Sequence, residues 1–396
     1  MTLPDANPDP AALRAFLRLA GAEAWGRRLS ALDRKVRERS FAGRAAQQRH
    51  AAELMLARMV DAAGARPSGT PERRVAAFAQ EVAELAAALP GPARARLRAL
   101  VREGLQGEAT LIPLFHLVRT AALARSRGFA VRFDGLLEGA THDLLIERDG
   151  AAAEVVCAVV SAEEGRPLNR GAWFDLMDAI HPELQTWLAS HPGRYLLKMT
   201  LPEGVQTQAQ LAALQRRILD MLAAERRQDA SADAVLKLDP LLLAGAQASL
   251  PAALRAQFGP EAHLAVTSHP ASGSVFVMAA RAGRENEIAQ AVKLRLAEQA
   301  ERLSGRRPGI LAVFIEDLER HEWRSLRETL ALEGAVRRFF TEPPAARVVA
   351  VSVCSRAELF GLPEPDAAPA GELRFRNQAH PAASSPALAP AVLSTV

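Results

Sequence analysis

Two apolar runs joined by a turn, HDLLIERDG and AAAEVVCAVVS over residues 142–161, constrain this chain more than any other feature. Arg-Asp-Gly between them is good hairpin chemistry. Asp and Gly accept the positive φ angles of a tight turn whose twist matches that of the flanking strands. An antiparallel strand pair is therefore expected here. It carries one carboxylate at the start of its first strand, Asp143, and another on the second strand, Glu154.

The surroundings extend this hairpin into an α/β order. ATLIPLFHLVRTAALARSRG reads as an apolar helix ending at Gly128, and FAVRFDG alternates as a strand does. After the hairpin a helix is expected over about 171–190, and RYLLKMTLP is expected as the next strand. Further on, HLAVTSHP and SVFVMAARA form a strand pair around Ala-Ser-Gly. GILAVFIEDL and RVVAVSVCS read as strands separated by a helix. The expected fold class is thus α/β, a mixed sheet flanked by helices and preceded by a helical segment. Residues 1–106 read as a helical N-terminal domain and 107–360 as the α/β domain with a strand–helix extension. Residues 361–396, rich in Pro and Ala, read as a disordered tail.

With hydrophobic residues at 49% and charged residues at 24%, the chain has the composition of an ordinary globular protein. No apolar run approaches the ~18 residues of a membrane span, and MTLPDANPDPAALRAF lacks the form of a secretory leader. Cys157 and Cys354 lie in apolar strand-like runs, where buried free thiols are expected rather than a disulfide. These features point to the cytoplasm of a bacterial-type cell, with no membrane partner. Charge is unevenly placed. Residues 1–107 hold 18 Arg and Lys against 11 Asp and Glu, an excess compatible with a phosphate-binding surface but explained more simply by solvated arginines on helix faces. The sequence holds no P-loop, no glycine-rich dinucleotide fingerprint, no CxxC pair and no Gly-x-Ser-x-Gly elbow.

RSRGFAVRF at 125–133, Asp143 at the head of the hairpin and Cys157, Ser161, Gly165 and Arg166 behind it form a pattern that resembles the PD-(D/E)XK superfamily of restriction-endonuclease-like nucleases. The resemblance covers residues 107–201. It implies a metal-binding aspartate at Asp143 and an acid, one spacer and a lysine on the following strand. Valine and alanine, Val156 and Ala158, stand at those two positions. Phosphodiester hydrolysis needs carboxylates to hold Mg²⁺ and a cation to balance the transition state, and neither side chain supplies these. Three replacements are available in the sequence. Glu154 shares the strand face of Val156, about 6–7 Å further along. Glu108 opens the preceding helix as a tentative metal ligand. Lys198, on RYLLKMT, is expected beside the third strand.

Simpler roles stand beside these. Asp143 and Glu154 serve equally as edge charges, Lys198 as a strand-end cation, His142 as a turn histidine, and His116, Trp173 and Trp187 as core. What the resemblance implies is a nuclease-like protein with a degraded site, binding DNA through its basic N-terminal helices, or a DNA-processing protein partner, without cleavage. No cofactor is then needed. The rival is an active Mg²⁺-dependent endonuclease or exonuclease using Asp143, Glu154 and Lys198, and a third possibility is a structural or assembly protein without nucleic acid.

Overall fold

The computed structural model describes residues 10–38, 40–61, 69–205, 207–241, 250–259, 261–356 and 371–395. It is mixed α/β and divides into two compact units. The first comprises residues 1–34, 47–164 and 289–396, and the second comprises 35–46 and 165–288.

The first unit is built on a six-stranded sheet. Its strands are β1 (Ala130–Arg132), β2 (Leu144–Arg148), β3 (Ala151–Ser161), β9 (Gly309–Glu316), β10 (Val348–Ser355) and β11 (Leu373–Arg376), in that spatial order. β1, β2 and β3 are antiparallel neighbours, β3, β9 and β10 run parallel, and β11 closes the far edge antiparallel to β10. The expected hairpin forms. Arg148 faces Ala151, and the two turn residues Asp149 (φ 49°) and Gly150 (φ 75°) take the left-handed conformations of a two-residue turn. β3 is 11 residues long against five for β2, so beyond Val156 it leans on β9 alone.

Helix α7 (Ile112–Ser126) leads into β1. It ends at Gly128, whose φ of +85° lets the Phe129 N–H reach back to the Ala124 carbonyl. On one face of β3, Ala153, Val155, Cys157 and Val159 pack into a core with Phe115 of α7. The same core takes Leu13 and Phe16 of α1 (Pro10–Ala20), Phe78 and Val82 of α5 (Thr70–Ala88), and Leu97 of α6 (Gly91–Glu103). The N-terminal helices therefore do not form the separate 1–106 domain expected from sequence. Their apolar stripes are completed by α7 and the sheet. The tail expectation also changes. Residues 361–370 lie outside the described residues, but 371–395 carry β11 and the short helix at Ala389–Val392, with Leu373, Phe375, Leu388 and Val392 buried.

The second unit has its own five-stranded sheet. Its strands are β4 (Arg194–Leu201), β5 (Gln228–Ala230), β6 (Val235–Pro240), β7 (His263–Ser268) and β8 (Val275–Ala282), ordered β5-β6-β4-β8-β7. β7 and β8 are the antiparallel pair expected from sequence. Helices α9 (Arg170–Ser190) and α10 (Gln208–Ala223) cover one face around Trp173, Leu184, Ile218 and Phe276. Thr207 and Gln210 start α10 with reciprocal backbone bonds, a capping box. Trp173 and Trp187 are core residues here, the Trp187 indole N–H donating to the Leu222 carbonyl.

This division corrects the strand order expected after the hairpin. RYLLKMTL is β4 of the second sheet, and the strand beside β3 is GILAVFIE, β9. The reason lies in burial. Gly309–Ile315 are buried throughout, as a central parallel strand requires, whereas β4 alternates core residues with Lys198 and Thr200. The chain leaves the first sheet after Glu164 and completes the second unit. It re-enters at α12 (Ile288–Ala300), so the span 107–360 is not one domain.

Candidate functional site

Asp143 and Glu154 stand on neighbouring strands at the place the resemblance marks, and both carboxylates are fully engaged by the protein itself. The Asp143 N–H donates to the Val155 carbonyl (3.0 Å) at the head of β2. Its Oδ2 accepts the Cys157 N–H at 2.7 Å and its Oδ1 accepts Arg302 Nη2 at 2.8 Å. Arg302, just past α12, is itself fixed: Nε donates to the Thr141 carbonyl at 2.9 Å and Nη1 to Gln299 Oε1 at 3.0 Å. Glu154 is 2% exposed. Its Oε2 accepts the Ser304 N–H at 2.8 Å and its Oε1 accepts the Ser304 hydroxyl.

His142 joins this group and is buried, rather than the partly exposed turn histidine expected. Its Nε2 lies 3.2 Å from Asp134 Oδ2 and its Nδ1 4.0 Å from Glu154 Oε2. A carboxylate only accepts, so Nε2 carries the proton toward Asp134. Burial pushes the Asp134 carboxyl up, but hydrogen bonds from Arg132 and His142 and the Arg132 charge bring it below its ordinary value. The two acids therefore tie the loop 302–304 to the hairpin. Each of the four carboxylate oxygens already accepts one hydrogen bond, and the Arg302 guanidinium already offsets the Asp143 charge that a divalent cation would need. Among the described residues no group of three or more His, Cys, Asp or Glu is arranged to hold a metal.

At the two positions where acid and lysine were sought, Val156 is 0% and Ala158 6% exposed. Their register partners on β9 are Leu311 and Val313. These positions form an aliphatic layer within the sheet. Lys198 does not stand beside β3, whose neighbours are β2 and β9. It lies on β4 of the second sheet, its ammonium 3.0 Å from Asp239 Oδ2. Glu108 does not open α7, which begins at Ile112. It is exposed in the preceding turn, and its charge is one of those acting on Arg49.

Arg49 belongs to a polar cluster that the sequence reasoning missed, at the carboxyl ends of β3 and β9. It bonds Asp317 Oδ2, which also accepts the Ser161 hydroxyl at 2.8 Å, and the Thr110 hydroxyl donates to Glu316 Oε1 at 2.5 Å. Asp317 holds a left-handed φ of 56° directly after the strand. Burial, and then the Asp317 charge, push the Glu316 carboxyl up. The available signal was the acid pair closing an otherwise apolar strand in FIEDL, since the carboxyl ends of parallel strands are where such sheets gather polar groups. In the described structure the cluster is internally paired.

Beneath the sheet, His116 Nε2 donates to the Ala312 carbonyl at 2.9 Å and its Nδ1 lies 3.7 Å from Cys354 Sγ. Burial lowers its pKa to about 4, so it is the neutral core histidine expected from sequence. Burial raises the Cys157 thiol, and both cysteines are free.

Exposed arginines line α1 and α6, which are in contact. Arg94, Arg98 and Arg102 recur every fourth residue along α6, and Arg14 and Arg18 do so on α1. All five are exposed, and Glu103 is the one acid that the two helices contain. Arg102 reaches the end of α1, lying against Gly21. Comparison with models of known protein families, with characterised proteins and with solved structures finds no match to this chain.

Proposed function

We propose that the first unit is a restriction-endonuclease-like scaffold whose cleavage chemistry has been lost, and that the chain binds duplex DNA without cutting it. The observation that carries this reading is the Arg302–Asp143 pair. A guanidinium from the protein holds the carboxylate to which a nuclease of this type would bind its metal. The strand order supports the scaffold half of the reading. A helix, three antiparallel strands, a helix and a strand parallel to the third follow one another as α7, β1, β2, β3, α12 and β9, with the second unit inserted before α12.

The binding half rests on the arginine ridge of α1 and α6. Guanidinium groups at every fourth residue stand about 6 Å apart along a helix, on one side of it. Such a ridge meets a line of phosphates and contributes affinity that falls with salt as counterions are released. Binding of a labelled duplex of arbitrary sequence, followed by anisotropy across a salt series, tests this. Arg98→Gln with Arg102→Gln is expected to lower the salt slope by about 2 and weaken binding roughly ten-fold at 0.1 M salt. Binding that is absent, or indifferent to salt, would overturn it in favour of an acidic protein partner.

A further inference from the structure

Among the described residues of the second unit, one face of its sheet carries the large core and the other a smaller apolar cluster. Leu197, Met199 and Leu201 of β4, Leu236 and Leu238 of β6, and Phe276 and Met278 of β8 point into the core beneath α9 and α10. Strand alternation sends the residues between them to the opposite side. There Leu196, Val277 and Ala279 pack with Leu241, with Leu264 and with Leu254 of α11 (Leu250–Phe258), and among the described residues the strip through Lys198 and Lys237 is left partly open.

That open part is cationic. Lys198 and Lys237 are direct register partners across β4 and β6, and their side chains are 39% and 57% exposed. Arg281 of β8 faces Thr200 of β4, one step along, and Arg194 begins β4 on the same side. Both are exposed. The acid among these strand residues is Asp239, 3.0 Å from the Lys198 ammonium and 3.7 Å from that of Lys237. Like charges directly opposite on a sheet repel, and one carboxylate offsets one of the two. Lysine is also scarce here: the chain has four among its 49 basic residues, and two of them meet at this point. A pairing that costs stability, made from a rare residue and left open to solvent, has the form of a binding surface.

We propose that this open sheet face contacts the phosphate backbone of duplex DNA, centred on Lys198 and Lys237. It takes its choice of polyanion from the function proposed above. Strand geometry sets the spacing: neighbouring strands lie about 4.8 Å apart and same-face residues about 6.6 Å apart. Lys237, Lys198 and Arg281 thus form a diagonal row across three strands. The strand residues of the open strip include no aromatic side chain, so base stacking is not on offer and the contact reads charge rather than sequence.

The test uses the full chain, a labelled duplex and a salt series. Lys198→Gln with Lys237→Gln is expected to weaken binding about ten-fold at 0.1 M salt and lower the salt slope by about 2. Asp239→Asn, which frees both ammoniums, is expected to tighten binding. A merely structural pairing would instead lower the melting temperature in both variants and leave affinity and slope unchanged, which overturns the proposal. The arms separate it from the preceding one. Loss confined to the Arg98 and Arg102 variant sinks the sheet face and keeps the helices, loss confined to the lysine variant does the reverse, and no binding at all sinks both. Polyglutamate competing as well as DNA per unit charge would assign the face to an acidic protein, and the proposal would fall.

Discussion

Val156→Glu is expected to destabilise the first unit by about 4 kcal/mol or more and to produce no nuclease. On sequence this substitution restores the acid that the resemblance asks for. In the structure Val156 is 0% exposed, with Leu311 beside it on β9 and Asp143 and Glu154 close along the hairpin. A carboxylate there loses its hydration, finds no donor and adds a third negative charge to two already satisfied ones. Ala158→Lys compounds this, because a long side chain must replace a buried methyl group. Urea unfolding followed by circular dichroism reads the effect, and the double variant assayed with Mg²⁺ completes the test. A folded double variant that cuts DNA would mean that the site is dormant rather than closed.

Trp173→Ala is the second large effect, and it belongs to the other unit. Trp173 is 1% exposed in the first turn of α9, its ring 5.9 Å from that of His263. Truncating a buried tryptophan costs about 3–5 kcal/mol through lost burial and the cavity left behind. Because Trp173 packs in a core distinct from that of β3, calorimetry is expected to show one transition lowered while a second stays in place. Val156→Glu should move the transition that Trp173→Ala leaves alone. A single transition shifted by both substitutions would contradict the division into two separately packed units.

The hairpin was legible in the sequence because its information is local. Asp149 and Gly150 tolerate the turn, and the apolar runs flank it directly. The partner of β3 was not legible from chain order, because the second unit lies between β3 and β9. The composition of the strands did hold the answer. GILAVFIE is apolar up to its closing Glu316, as a strand buried on both faces must be, and RYLLKMTL is not. The N-terminal helices looked like a domain because helix follows helix up to about residue 106 and strands begin only afterwards. Yet Phe16 and Phe78 needed a partner for their apolar stripe and found Phe115 and the sheet. In the tail, Pro and Ala obscured LRFR, whose alternation buries Leu373 and Phe375.

At the candidate site the positions of Asp143 and Glu154 followed from the hairpin, but what they do did not. Arg302 and Ser304 lie about 150 residues downstream and reach the acids only because α12 returns the chain to the first sheet. A sequence motif records which ligands are present, and it does not record which cation they face. Lys198 was sought as a migrated catalytic group on proximity in sequence, and the second sheet took it elsewhere.

The most direct test of the account is DNA cleavage by the purified chain. Supercoiled plasmid and linear duplex are incubated with Mg²⁺ or Mn²⁺, beside Asp143→Ala. The account predicts intact DNA in every lane, with no difference between the variant and the parent chain. Metal-dependent degradation that vanishes with Asp143→Ala would contradict it.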